Sequence, residues 1–224
     1  MSFDRLAPHY TWMERVLAGR RLQRTRTAWL DELAARCRDR QPGAARWLIA
    51  GVGHGHFLQA CANRFPAAEI ASVDASAGML ARARARALPT VPNPDRLEFV
   101  HAALPNWQPP AGAFDVIVTH FFLDCFPPRE LVQVVAGLAR AARPRAYWVL
   151  SDFTVPAQGW GRQRARVIHW MMYAFFRRVT QVRARRVTVP DPLLRAHGFS
   201  LAGRRTFEWG LLHSDLWERK MEHG

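Results

Sequence analysis

The sequence predicts an α/β fold, in which a doubly wound sheet of mostly parallel strands carries helices on both faces. Three observations predict it. Short apolar runs alternate with helical stretches, a glycine-rich turn follows the first run, and an aspartate ends the second. Strands that alternate with helices over short connections form parallel sheets covered on both faces. With 224 residues that are 49% hydrophobic, the chain can bury a substantial core.

The first half of the chain predicts a helical start and then two strands, each followed by a helix. Apolar residues at helical spacing favour a helix that Gln41-Pro42-Gly43 ends. Ser76 is a suitable N-cap for the last helix of this half. The expected elements are a helix over residues 11–40, a strand over 47–50, a helix over 56–64, a strand over 69–73 ended by Asp74, and a helix over 77–87.

The second half continues the alternation and then changes character. After residue 152 a long helix rich in arginine and aromatic residues is predicted, followed by a closing antiparallel hairpin. The expected elements are strands over 97–100 and 114–119, a helix over 128–142, a strand over 146–152, helices over 159–181 and 191–196, and hairpin strands over 200–207 and 211–217.

Composition excludes several classes of protein. Three scattered cysteines, Cys37, Cys61 and Cys125, predict neither a disulfide framework nor a zinc cluster. No apolar run is long enough to cross a bilayer, and the opening MSFDRLAPHY has no apolar core of a signal peptide. A single-domain cytoplasmic protein, with peripheral membrane contact as an alternative, is therefore expected.

The net charge of +14 is concentrated in one region. Residues 159–205 hold eleven arginines and a single acid, Asp191. Such a stretch can bind RNA or an anionic membrane surface, but it can equally be a solvated helix face. Its aromatic residues cluster with aliphatic ones rather than alternating with basic ones, which argues against RNA. No DNA partner is expected, and a homo-oligomer is an open alternative.

The strongest local signal is the turn Gly51-Val52-Gly53-His54-Gly55 between a strand and a helix. Closely spaced glycines let the backbone turn sharply and approach a ligand at a helix N-terminus. Asp74, which closes the next strand, can accept hydrogen bonds from both hydroxyls of a ribose. These features predict a site for an adenosine-containing cofactor. His56 stands where a dinucleotide site would place its third glycine, so the spacing departs from that fingerprint.

The segments LIAGVGHGHF, SVDASAGML and AFDVIVTHFFLDCF, in this order and spacing, resemble the class I S-adenosylmethionine-dependent methyltransferases. The opening Phe3-Asp4-x-x-Ala7-x-x-Tyr10 is similar to the start of the quinone-biosynthesis group of that family. The resemblance covers residues 1–152 and, in layout only, the C-terminal third. It implies a Rossmann-like, seven-stranded sheet whose last strand is antiparallel.

The resemblance also implies the cofactor, S-adenosylmethionine, and the residues that hold it. The three turn glycines would wrap its methionine part, Asp74 its ribose, and Tyr10 would close over it. The other expected cofactor contacts are Ala75 and Met79 beside the adenine, Ala102 and Ala103 after the third strand, and His120 beneath the cofactor. Three positions depart from the family pattern, because Ile49, Val52 and Ala102 stand where relatives carry acids. These departures leave open a methyltransferase-like scaffold or partner protein with weak or no cofactor binding.

His120 and Asp124 are the candidate catalytic residues, since both follow the fourth strand at the edge where α/β sheets hold ligands. His120 would deprotonate the acceptor while Asp124 orients its ring. Alternatively, His120 packs under the cofactor and Asp124 caps the next helix. His54 and His56 lack a third ligand, so no metal site is predicted.

The sequence therefore predicts methyl transfer to a small, mostly apolar acceptor that is aromatic, quinone-like or lipid-like. Methylation of RNA or a phospholipid is the alternative that the basic region leaves open. The expected organisation is one domain over residues 1–224. Its parts are an N-terminal helical cap over 1–45, a cofactor-binding core over 46–152, a lid or packing helix over 153–190, and a C-terminal helix and hairpin over 191–224.

Overall fold

Seven strands form one sheet in the structure, a computed structural model that describes residues 19–40, 45–154 and 189–220. The strands are β1 (Arg46–Ala50), β2 (Glu69–Asp74), β3 (Leu97–His101), β4 (Phe114–His120), β5 (Ala142–Phe153), β6 (Phe199–Phe207) and β7 (Leu212–Arg219). Their order is β3-β2-β1-β4-β5-β7-β6. The first five are mutually parallel, whereas β7 is antiparallel to both neighbours. This confirms the predicted doubly wound sheet with its antiparallel final strand.

The helices fall close to their predicted positions, with one exception. They are α1 (Gly19–Arg26), α2 (Leu30–Arg40), α3 (His56–Arg64), α4 (Ala77–Ala87), α5 (Pro128–Ala141) and α6 (Asp191–Ala196). The single helix expected over residues 11–40 is wrong within the described part, because the chain turns at residues 27–29. The hydroxyls of Thr25 and Thr27 donate to carbonyls one turn back, a bond that competes with regular helix geometry. Trp29 is then buried beside Gly203.

The sheet has two buried faces that are packed by different helices. On the first face, Val116 and Val118 of β4 pack with apolar residues of α2, α3 and α4. On the second, Ile117 of β4 and Trp148 of β5 pack with α5 and α6. Because side chains alternate along a strand, His120 belongs to the first face and Asp152 to the second. This difference decides the geometry of the candidate site.

The C-terminal hairpin of β6 and β7 is confirmed, and it is fastened to the helices at the start of the described chain. A Cβ at Gly203 would lie 2.6 Å from the Trp29 ring, so only a glycine permits this close packing. The Arg205 guanidinium lies 4.0 Å from the centre of the same ring. The hairpin therefore closes the sheet and holds the helical segment in place.

Within the described ranges, no helix is long and apolar enough to cross a bilayer. The long helix predicted over residues 159–181 lies outside the described residues. So do most of the predicted lid segment and much of the N-terminal cap, and their organisation stays a prediction.

Candidate functional site

The glycine turn after β1 uses its three glycines in different ways. All three have positive φ, namely 77° at Gly51, 55° at Gly53 and 77° at Gly55. A Cβ at Gly55 would lie 2.7 Å from the Cα of Ala83, and one at Gly51 would lie 2.4 Å from the Phe122 ring. A Cβ at Gly53 would meet no atom within 4 Å. Gly51 and Gly55 therefore serve packing, whereas Gly53 borders open space that a ligand can enter.

Asp74, at the end of β2, lies directly beside this turn. Its Oδ2 accepts a hydrogen bond from the Gly53 backbone N–H at 3.1 Å, and its Oδ1 accepts one from the Ser76 N–H at 2.9 Å. Burial raises the pKa of Asp74, and these two backbone donors partly offset that effect. A carboxylate has about four acceptor positions, so both oxygens can still accept hydrogen bonds from a ribose. The carboxylate is therefore held in place at the edge of the open space.

Four further residues predicted to contact the cofactor lie just after β2, just after β3 or in the first turn of α4. Ala102 donates its N–H to the Asp74 carbonyl at 3.2 Å, and the His101 ring lies 3.2 Å from the Ala75 carbonyl. Met79 is buried, and its N–H donates to the Ser76 hydroxyl, which confirms the predicted N-cap of α4. Ala103 follows Ala102 and is exposed. The structure thus brings Asp74, Ala75 and Ala102 together at one edge.

The departures from the family pattern have a structural explanation. Ile49 and Val52 are buried at 3% and 7% exposure and belong to the core on the first face of the sheet. An unpaired carboxylate there would be costly to bury, so these positions contribute packing. The His54 ring lies 3.0 Å from Arg82 Nη1, and the His54 carbonyl accepts from Arg86 Nε, so this histidine contacts α4. In the ranges that the structure describes, no group of residues suits a metal ion.

His120 lies at the end of β4 with a buried, neutral ring. Its ring makes an edge-to-face contact with Phe57 at 4.5 Å between centres. Within the described part of the chain, neither ring nitrogen has a hydrogen-bond partner, although both are buried. Burial lowers the pKa of His120 well below its ordinary value, and the positive charge of Arg26 lowers it further. His120 therefore holds an open hydrogen-bonding capacity at the ligand edge of the sheet.

The predicted contact between His120 and Asp124 is wrong. Asp124 lies in a short 3-10 turn after β4, near enough to Asp152 at the end of β5 for its negative charge to raise the pKa of Asp152. His120 lies on the first face of the sheet and Asp152 on the second. Asp124 is therefore near a residue on the face opposite to His120. Asp124 is no helix cap either, because Pro127 occupies the N-cap of α5 without a side-chain hydrogen bond.

The left-handed backbone conformation that follows β4 was not predicted from the sequence. Phe121 has φ of 53°, a left-handed conformation that is strained for a bulky residue. Its N–H donates to the Ser151 carbonyl at 2.7 Å, and its ring lies between Arg26 and Phe153. Phe122 is consequently placed against Gly51. The sequence His-Phe-Phe at the end of a buried strand was the one sequence feature that could have indicated this turn, because it places two aromatic residues where a ligand is expected.

The remaining predicted cofactor contact, Tyr10, lies outside the described residues. The aromatic and arginine-rich stretch at 159–181 does so too.

Comparison with known proteins finds a methyltransferase domain in the part of the chain that builds this edge of the sheet. Residues 48–145 match the family model of a methyltransferase domain. The chain is 33% identical over 141 residues to trans-aconitate 2-methyltransferase of Streptomyces avermitilis, covering 62% of this chain and 51% of that one. It is 28% identical over 154 residues to the ubiquinone/menaquinone biosynthesis C-methyltransferase of Syntrophotalea carbinolica, covering 69% and 60%.

A solved structure shows the same fold. Magnesium protoporphyrin IX methyltransferase of Synechocystis PCC 6803, with bound S-adenosylhomocysteine, superimposes with a TM-score of 0.64 at 21% identity. The match covers 88% of this chain and 83% of that one. The chain therefore contains a match to a methyltransferase domain over residues 48–145, and its sheet has the same fold as this methyltransferase structure. It spans between half and two thirds of the length of the two curated relatives.

Proposed function

We propose that this chain transfers the methyl group of S-adenosylmethionine to a small-molecule acceptor. The observation that carries the proposal is the contact between Gly53 and Asp74. It joins a glycine turn bordering open space to a carboxylate held by two backbone donors. The match of residues 48–145 to a methyltransferase domain gives this arrangement its chemical meaning.

The residues present fit the cofactor. Gly53 leaves open the space that a Cβ would fill, Asp74 offers acceptor positions for the ribose, and Ala75 and Ala102 flank that carboxylate. Ala102 supplies no acid for the adenine amine, so the affinity is expected to be lower than in relatives that carry one. When bound, S-adenosylmethionine supplies a methyl group that its sulfonium already activates. The chain must therefore mainly align the acceptor and exclude water.

His120 is the residue that we propose to act on the acceptor. Its neutral imidazole has one nitrogen lone pair and one N–H, and neither is used within the described chain. Such a ring can accept a proton that the acceptor loses, or hold a hydroxyl of the acceptor in position. Burial lowers the pKa of His120, so the neutral form of the ring that this role requires predominates at neutral pH. Asp124 makes no hydrogen bond to this ring, so the proposed role of His120 does not include an orienting carboxylate.

The expectation of a mostly apolar acceptor is supported by the aromatic residues at this edge. Phe121 contacts Phe153 and Phe122 contacts Phe126, with ring centres 5.1 and 5.0 Å apart. The two curated relatives are named for trans-aconitate and for ubiquinone and menaquinone, so they give no single acceptor. Aromatic rings favour a flat or aryl acceptor, which is compatible with the quinone-related name.

The test is the formation of S-adenosylhomocysteine from S-adenosylmethionine in the presence of a panel of aryl, quinone-like and carboxylic acceptors. The parent is compared with Asp74→Asn and with Asp95→Asn, a matched change at an exposed acid on the remote edge of the sheet. We expect turnover with an aryl acceptor that falls strongly in Asp74→Asn and stays unchanged in Asp95→Asn. Turnover unaffected by Asp74→Asn would contradict the proposal, and a parent that binds no cofactor would favour a scaffold protein.

A further inference from the structure

A second polar cluster lies at the ligand edge, on the opposite face of the sheet from His120. Asp152 ends β5 with 4% exposure, and the half-buried Asp124 lies near enough for the two carboxyl groups to interact electrostatically. Burial and the neighbouring Asp124 charge raise the pKa of Asp152 well above its ordinary value. Neighbouring carboxyl groups disfavour each other's ionisation, so either one can carry the negative charge of the pair.

His213 provides an independent observation at the same place. It lies directly opposite Asp152 in the antiparallel pairing of β5 and β7, so the two side chains are neighbours on one face. His213 is 9% exposed, and both of its ring nitrogens are buried without a hydrogen bond inside the described ranges. Oδ2 of Asp215 lies 3.5 Å from Nε2 of His213. A buried polar ring without a hydrogen bond indicates a missing partner.

Among the described residues, the charged side chains around the cluster are mainly acidic. Arg204 forms two hydrogen bonds to the fully buried Asp215 and one to Asp191. One guanidinium therefore balances two carboxylates, and Oδ1 of Asp191 is buried without a hydrogen bond among the described residues. Together with the Asp124–Asp152 pair, the cluster has an excess of negative charge in a chain of net charge +14. Its open positions are mainly acceptors, which require N–H or O–H donors.

We propose that Asp124, Asp152 and His213 form a recognition site for a positively charged nitrogen on the methyl acceptor. The substrate class is an aryl compound that bears an ammonium or similar cationic group. This inference rests on the proposed function, because the cluster lies at the same edge of the sheet as the cofactor residues. It narrows the acceptor from mostly apolar to aryl and cationic.

Charge and hydrogen-bonding capacity both favour a cation over an anion. An ammonium donates several hydrogen bonds to the carboxylate oxygens and the imidazole, and it balances their charge. A carboxylate acceptor would meet like charges and unpaired acceptors, which is costly in a partly buried site. Phe126, two residues after Asp124, places an aromatic ring within the same segment. Aromatic rings attract organic cations as well as aryl groups.

The test is direct binding of three small probes of similar shape at neutral pH, measured by calorimetry with and without S-adenosylhomocysteine. The probes are 2-phenylethylamine, 2-phenylethanol and 3-phenylpropionate, which are cationic, neutral and anionic. We expect the parent to bind the amine at least about tenfold more tightly than the alcohol, and the carboxylate least of all. Equal affinity for all three probes would overturn the proposal.

Isosteric variants locate the effect. The double variant Asp124→Asn/Asp152→Asn should remove most of the preference for the amine, because either aspartate alone can carry the negative charge, whereas the remote control Asp95→Asn should retain it. Thermal unfolding confirms that each variant is folded, and His213→Gln gives a second route if the double variant does not fold. Retention of the preference in the folded double variant would overturn the proposal. Failure of the parent to bind S-adenosylhomocysteine would count against the methyltransferase proposal alone, since amine binding is also measured without it.

Discussion

Gly53 donates its backbone N–H to Oδ2 of Asp74 at 3.1 Å, and this contact joins the ends of two neighbouring parallel strands. The turn that follows β1 therefore cannot move independently of the acid that ends β2. Since Gly53 borders open space, the bond fixes both groups at the edge of that space. A preformed binding site costs less conformational entropy when its ligand arrives.

Alanine substitutions at two glycines of the same turn should separate binding from stability. Gly53→Ala adds a methyl group to open space, so we expect a loss of only about 1–2 kcal/mol in unfolding free energy from the positive φ. The methyl group should nevertheless weaken binding of S-adenosylhomocysteine by tenfold or more. Gly55→Ala places a Cβ 2.7 Å from the Ala83 backbone, so it should destabilise the fold by about 2–5 kcal/mol. Urea unfolding and calorimetry measure the two effects, and equal behaviour of the two variants would contradict the different roles assigned to them.

Restoring an acid after the third strand should strengthen cofactor binding. Ala102 is half-buried and its N–H is bonded to the Asp74 carbonyl, so its side chain is at the edge where the adenine is expected. In Ala102→Asp the new carboxylate can accept a hydrogen bond from the adenine amine, a gain of about 1.5–3 kcal/mol. Calorimetry should show affinity rising by roughly tenfold or more. Lower affinity in a folded variant would mean that the adenine lies elsewhere.

Asp152→Asn should stabilise the protein at neutral pH. Burial and Asp124 raise the pKa of Asp152 in the folded chain, so the folded state holds its proton while the unfolded state has already released its own. The parent therefore loses stability as the pH rises from about 4, the ordinary range of an aspartate, towards the raised value. Asparagine avoids this loss and can still accept from the Phe153 N–H.

The signature of this effect is its dependence on pH. Each ~1 kcal/mol of relief should raise Tm by about 2–4 °C at neutral pH, and the gain should disappear near pH ~4. Asp115→Asn is the matched control, because Asp115 is buried and bonded to Arg143 and to the Arg46 N–H. That variant should be less stable than the parent at neutral pH. A lower Tm for Asp152→Asn at neutral pH would contradict the raised pKa of Asp152.

His120→Gln tests the role proposed for the histidine. Glutamine keeps a hydrogen-bonding group but cannot take up a proton at neutral pH, so a base role predicts a loss of roughly 10²–10⁴ in turnover. Affinity for S-adenosylhomocysteine should change little. Because the pKa of His120 is lowered, turnover of the parent should already be constant across the ordinary histidine range. Retained turnover in the glutamine variant would instead assign His120 to positioning.

The parts of the site that could be predicted are those formed by residues close together in the sequence. The three glycines, Asp74 and the Ser76 N-cap each follow from a strand, a turn and a helix in succession. Their placement needs only the rule that ligands bind at the carboxyl ends of parallel strands. The structure places the glycines and Asp74 together as that rule requires.

The pairing of acids and histidines could not be predicted, because it depends on the face of the sheet that each side chain occupies. A separation of four residues suggested that Asp124 would contact His120. The left-handed Phe121 redirects the chain after β4, and Asp124 contacts Asp152 on the other face instead. A positive φ at a phenylalanine has no sequence signal, since bulky residues rarely adopt it. The partner of Asp124 is also distant in sequence and is brought near only by the pairing of β4 with β5.

The same limit applies to the departures from the family pattern. Ile49 and Val52 were expected to weaken the cofactor site, yet both are buried in the core on the first face of the sheet. The sequence shows that the acids of the family pattern are missing, but only the structure shows that the residues at these two positions pack in the core.

Calorimetric titration with S-adenosylhomocysteine tests the central claim most directly. The parent, Asp74→Ala and the remote control Asp95→Ala should be titrated under the same conditions, with thermal unfolding to confirm that each is folded. We predict saturable binding with one site for the parent and the control. We predict a loss of at least about a hundredfold in Asp74→Ala, because two charge-assisted hydrogen bonds to the ribose disappear together. Equal affinity in the parent and Asp74→Ala, or no binding to the folded parent, would contradict the claim that this edge of the sheet is a cofactor site.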